Sequence, residues 1–155
     1  VSVTLSHQNH FKFGYNGEWF RLRQSPQDVY TVSYGRCERE PGSFLEESIR
    51  AARLIGEAAD APIHVLFSGG VDSEVAMQCF LAAKVPITAA IMRFANDLNQ
   101  HDIAFAVRFC ERHAVPYQFY DLDIEAFIRN RLLDYTIPVR CNAPMLAATM
   151  WLIDQ

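Results

Sequence analysis

Apolar residues fall into two short, dense runs, Ile63–Phe67 and Ile87–Phe94, and a third strand is expected at Tyr117–Leu122, the three separated by longer stretches of helical character. A mainly apolar run of this length predicts a strand covered on both faces. Between the runs, residues 73–84 and 100–114 predict helices; in the second, Ile103, Ala106, Val107 and Cys110 share one face. Val85-Pro86 and Val115-Pro116 end these helices and lead into the next strand. Strand–helix–strand units of this length imply right-handed parallel crossovers. The expected fold class is therefore α/β, a parallel sheet with helices on both faces.

The flanking segments read differently. Phe11–Tyr15 and Glu18–Arg23 flank Asn16-Gly17, a dipeptide that favours a type I′ hairpin turn. Val29–Tyr34, after the Ser25–Asp28 turn, predicts a third strand. Residues 1–42 are thus expected to form a small antiparallel β meander, and residues 43–155 the α/β domain. The meander's aromatics are expected to pack on that domain, with a partner as the other use for them. Ser43-x-x-Glu46 is a capping box that opens a helix running to about residue 60. Ile124–Leu133 and Pro144–Ile153 predict two further helices, with 134–142 irregular or strand-like around Pro138.

At 155 residues and 50% hydrophobic, the chain can bury a real core. The net charge of −4 argues against a strong general nucleic-acid surface, while arginine, which supplies all basic residues but Lys12 and Lys84, leaves a local patch open. No run approaches transmembrane length and no signal peptide is evident, so no membrane partner and a cytoplasmic location are expected. Cys37, Cys79, Cys110 and Cys141 are too scattered for a zinc site or a disulfide framework; Cys79 and Cys110 read as small core residues. His7-x-x-His10 is a weak metal hint, more often a pair of solvated histidines.

The most informative stretch follows the first apolar strand: Ser68-Gly69-Gly70-Val71-Asp72-Ser73. Adjacent glycines permit positive φ and a close approach of ligand to main-chain N–H groups. Asp72 or Ser73 is placed to cap the helix that follows. A helix N-terminus below such a turn favours anions, because its free N–H groups and the positive dipole end point the same way. No lysine stands in the turn, so this is not a Walker-type loop. Phosphate binding would rest on backbone N–H groups, the hydroxyls of Ser68 and Ser73, and a cation near Asp72. The plain alternative is an ordinary strand–helix turn.

These six residues resemble the Ser-Gly-Gly-x-Asp-Ser signature of the PP-loop superfamily, the N-type ATP pyrophosphatases of the adenine nucleotide alpha hydrolase-like group. The resemblance covers about residues 63–155 and implies a Rossmann-like, HUP-type sheet with ATP and Mg²⁺ as cofactors. It implies cleavage of ATP to AMP and pyrophosphate, with adenylation of an unknown acceptor for amide or thiol transfer. By this resemblance Ser68, Gly69, Gly70, Val71, Asp72 and Ser73 hold the phosphates, Asp72 holds the metal, and Asp72 and Ser73 serve catalysis. The end of the second strand, with Met92 and Phe94, would supply the wall for adenine, although each also suits plain core.

Other candidates are weaker. Arg93 and Arg140 could neutralise phosphate, yet surface roles explain them better. Asn96 and Asp97 could contact ribose or a cation, or simply form the loop. Cys141 has no paired base. Family members continue past a helix like Pro144–Ile153 into a fourth strand beside the first, which makes Ile63–Phe67 the expected centre of the sheet. The resemblance therefore implies that the usual C-terminal part lies outside these residues. The exposed edge would be covered by another segment, a second copy or a partner protein. Two further readings stay open: a non-catalytic nucleotide-binding or assembly protein on this scaffold, and a sulfonucleotide reductase-like protein.

Overall fold

The structure, a computed structural model, describes residues 12–19, 21–33, 39–137 and 143–155. His7, His10, Arg140 and Cys141 lie outside them. The chain divides into two compact units, Val1–Ser43 and Phe44–Gln155.

The first unit is an antiparallel sheet of β1 (Lys12–Tyr15), β2 (Glu18–Trp19) and β3 (Tyr30–Ser33). Asn16 and Gly17 carry φ values of 54° and 79°, the left-handed pair that a type I′ turn requires. The sheet order is β2-β1-β3, so β1 rather than β2 is central, unlike a simple meander. The Asn16 side chain explains this order. Its Oδ1 accepts the Val29 N–H at 3.0 Å and its Nδ2 donates to Asp28 Oδ1 at 2.9 Å, which ties the start of β3 to the hairpin turn. Tyr15 and Tyr30 then meet edge to face at 5.3 Å.

The second unit opens with α1 (Phe44–Ala58) and builds a parallel sheet from β4 (Ile63–Leu66), β5 (Ile87–Phe94) and β6 (Tyr117–Leu122). The connecting helices are α2 (Val71–Ala82) and α3 (Gln100–His113). The strand order is β4-β5-β6, which makes the fold the expected α/β type. The central strand, however, is β5. Ala89 and Ile91 are fully buried, whereas Ile63, Val65 and Leu66 of β4 are half-buried, and among the described residues β4 pairs on one side only.

Alternation along β5 sorts its two faces. Ala89 and Ile91 join Phe67, Met77 of α2 and Ile103, Ala106 and Phe109 of α3 in the larger core. Met92 and Phe94 pack with the second core. That core gathers Leu122, Ile124 and Phe127 around Ala147 and Ala148 of α6 (Pro144–Ile153). Two small, fully buried alanines let α6 lie close, and Pro144 suits the first helical position, where an N–H would be unpaired anyway. The expected single helix 124–133 is instead two: α4 (Ile124–Asn130) and α5 (Leu132–Thr136), broken at Arg131 (φ −124°, ψ −10°). Leu132 and Tyr135 of α5 pack on the same core as Phe127. Among the described residues, no helix is long and apolar enough to cross a membrane.

Met77 is fully buried at the centre of the larger core. Replacing it with Ala is expected to lower the unfolding free energy by about 2–5 kcal/mol, the cost of lost burial plus a cavity. Urea denaturation measures this, and a loss below about 1 kcal/mol would contradict the packing described.

Candidate functional site

The Ser68–Ser73 turn lies at the carboxyl end of β4, where open parallel sheets bind ligands. Its two glycines do different work. Gly69 has φ +84°, and a Cβ there would sit 2.2 Å from the Asp102 carbonyl oxygen and 3.3 Å from the Ala106 nitrogen. This glycine therefore lets the turn pack directly on the backbone of α3. Gly70 has an ordinary φ of −81°, and a Cβ there would meet only Ser68 Oγ, at 3.4 Å. Its side of the turn is open.

Helix α2 starts two residues earlier than a cap at Asp72 requires, and three earlier than one at Ser73. Gly70 is the N-cap and no side chain caps the helix, so Asp72 and Ser73 stand inside the first turn. The Ser73 hydroxyl instead donates to the Gly70 carbonyl at 2.9 Å and lies 3.0 Å from Ser68 Oγ. Ser68 Oγ also accepts the Gly70 N–H at 3.3 Å. The two hydroxyls are thus drawn together over an uncapped helix N-terminus, where the dipole favours an anion.

Beside the turn is a cleft of about 320 Å³. Leu66, Phe67 and Ser68 form one wall, Ala90, Met92 and Phe94 the floor, and Asn99, Asp102, Met145, Thr149 and Leu152 the remainder. The structure therefore brings Ser68, Met92 and Phe94 to one cavity. Asp72 is not part of it. This exposed carboxylate lines the groove between α1 and α2, with Phe44, Ser48, Ile55 and Val75. Asn96 and Asp97 are exposed, at φ 58° and 56°, in the short turn Ala95–Asp97. They do not line the cleft.

The arginine candidate is already engaged. Arg93 points to the β6 side and holds Asp121 through a bidentate pair, 2.5 Å from Nε to Oδ1 and 2.8 Å from Nη2 to Oδ2, with its guanidinium 4.8 Å from the Phe119 ring. Asp123 caps α4, its Oδ1 accepting the Ala126 N–H at 2.9 Å. The residue that the motif reading passed over is Asn99. Its Oδ1 accepts the Phe94 N–H at 2.8 Å, and its Nδ2 donates to the Met92 carbonyl at 2.9 Å. An Asn immediately before a helix is ordinary in sequence, so its position gives no sign of this role.

The comparisons with known proteins bear on the fold. No family model matches the chain, and no curated protein sequence matches it. Among solved structures, the NMN synthetase from Francisella tularensis superposes with a TM-score of 0.50 at 22% identity, over 73% of this chain and 50% of that one. The NH₃-dependent NAD synthetase from Campylobacter jejuni gives a TM-score of 0.47 at 19% identity, over 55% of this chain and 38% of that one. The match thus spans half or less of the length of either synthetase. The likeness to NMN synthetase establishes a shared fold.

Gly69→Ala is expected to destabilise the domain by about 1–3 kcal/mol from the left-handed backbone alone, and further from the contact with Asp102. Gly70→Ala should leave folding intact. Chemical denaturation of both variants decides it: equal losses would show that Gly69 is not the residue that locks the turn.

The hydrogen bond and charge of Arg93 hold the Asp121 carboxyl below its ordinary value of 3.8. Stability linked to Asp121 is then complete above its unfolded-state pKa and is lost as pH falls through the lower folded-state value. Carboxyl NMR is expected to place the Asp121 midpoint below 3.8, moving upward in Arg93→Gln and with added salt. A midpoint unmoved by Arg93→Gln would remove the pair as its cause.

Proposed function

We propose that this chain binds ATP at the carboxyl end of its parallel sheet and adenylates an acceptor, with release of pyrophosphate. The observation that carries the reading is the juxtaposition of the Ser68–Ser73 hydroxyls and the uncapped start of α2 with a largely apolar cleft. An anion site beside a largely apolar cleft suits a nucleotide. The Ser-Gly-Gly-Val-Asp-Ser turn, similar to the PP-loop signature, supports ATP over other nucleotides. A fold shared with a protein named NMN synthetase is consistent with that choice.

In this reading the Val71 N–H takes a phosphate oxygen, the Gly70 N–H and the hydroxyls of Ser68 and Ser73 exchange their bonds within the turn for phosphate oxygens, and Met92 and Phe94 wall the base. Among the described residues no group of three or more metal-ligating side chains occurs. Mg²⁺ bound to nucleotide phosphates commonly needs only one or two protein carboxylates. Asp72, on the exposed first turn of α2, suits that supporting part. The ion would shield the charge that builds up on the departing pyrophosphate. An acceptor oxygen would attack the α-phosphorus as the bond to the β-phosphate breaks, and the turn's donors, fixed before the reaction, would stabilise the developing charge. A nitrogen or sulfur nucleophile would then displace AMP.

Incubation with [α-³²P]ATP and Mg²⁺ tests this directly. The expected results are retained ATP and labelled AMP once an acceptor is supplied. In Asp72→Asn, Mg²⁺-dependent retention should fall by about tenfold, as for loss of one charge-assisted contact. Retention without AMP under every acceptor condition would favour the non-catalytic binding protein, and no retention at all would remove the nucleotide reading.

A further inference from the structure

The floor of the cleft carries a hydrogen-bonding edge that is already filled. Alternate residues of β5 point their backbone groups to opposite neighbours. The Ala89 N–H donates to the Pro116 carbonyl on the β6 side, whereas the Ala90 carbonyl accepts the Phe67 N–H on the β4 side. Met92 and Phe94 continue the β4-facing series, but β4's register ends at Leu66 opposite Ala90. Beyond that point the Met92 carbonyl and the Phe94 N–H lie past the end of the neighbouring strand. Asn99 takes both, donating from Nδ2 at 2.9 Å and accepting at Oδ1 at 2.8 Å. Reversing the amide would set donor against donor, so its orientation is fixed by the strand.

The chemistry of this edge is selective. It offers an acceptor beside a donor, and the carboxamide answers with an N–H beside an acceptor across one carbon. The amino edge of an aminopurine, its exocyclic N–H beside a ring nitrogen, carries the same pair at the same spacing. A keto base carries the reverse. Asn99 also forgoes its local task. It occupies the N-cap position of α3, yet its side chain makes no cap bond, and φ −122°, ψ 25° set the carboxamide toward the strand.

We infer that Asn99 is an internal stand-in for the base. Its carboxamide fills the Met92–Phe94 edge of the cleft, an aminopurine must displace it to bind, and Asn99 thereby sets the affinity and base preference of the site. This rests on the nucleotide reading above. Displacement exchanges one bidentate pair for another, so the base gains little on the edge while Asn99 competes for it. Removing the carboxamide leaves the edge free for the base.

The test is isothermal titration of the wild-type protein, Asn99→Ala and Asn99→Ser with Mg²⁺ and ATP, GTP or inorganic tripolyphosphate. Serine keeps a capping hydroxyl for α3 and is too short to bridge both strand groups. Both variants are expected to bind ATP about tenfold more tightly, the worth of the competing hydrogen bonds. GTP affinity should change less, and tripolyphosphate affinity not at all. Unchanged or weaker ATP binding by folded variants, or an equal gain for GTP or tripolyphosphate, overturns the inference and leaves the nucleotide reading standing. No binding of any of the three by the wild-type protein overturns both. If neither variant folds, Asn99 is a structural clasp and the inference fails.

Discussion

At Gly69 the turn after β4 lies against the first turns of α3, so close that a Cβ would sit 2.2 Å from the Asp102 carbonyl oxygen. That contact joins the three elements at the carboxyl end of the sheet. It seats the phosphate-type turn on the helix, and the helix start in turn carries Asn99 to the end of β5. The cleft is the space left among these parts and α6. A glycine usually read as room for a ligand is here also room for the protein's own backbone.

The packing behind the site explains why the cleft stays open. Small residues at Ala89 and Ala106 bring α3 tight onto one face of β5. On the other face Ala147 and Ala148 bring α6 against Leu122, Ile124 and Phe127. Helix α6 packs mainly on α5 and less on α4, and its Met145, Thr149 and Leu152 line the cleft together with Ala90 and Met92. Polar capacity is spent sparingly. Asp123 caps α4, and Arg93 is taken by Asp121 on the side of β5 facing β6. An anion beside Ser68 would depend on backbone dipoles and an added cation for its charge balance, since none of the described residues lining the cleft is basic.

Much of this was legible from residue order. The apolar run Ile87–Phe94 and the Pro144 helix start match the observed elements to the residue, and Asn16-Gly17 gives the expected turn. The departures have local causes. The break is at Arg131, whose φ −124° and ψ −10° leave the helical region, and no proline or glycine in 124–133 marks it. The start of α2 at Val71 follows from the backbone of Gly69-Gly70, not from the polar residues that ordinarily signal a cap. The role of Asn99 is not legible in sequence, because a capping residue and a residue bridging a strand end look alike there.

What the sequence alone determined is local and periodic. It specified a parallel α/β unit, a glycine turn between strand and helix, and the apolar runs that become β4 and β5. Those follow from side-chain spacing and backbone permissiveness, which need no distant partner. The tertiary structure decided which strand is central, which glycine serves packing and which serves the open side, that Asp72 faces the α1–α2 groove, and that Asn99 holds the end of β5. Each depends on where a second element comes to rest, and the spacing along one element carries no record of that distance.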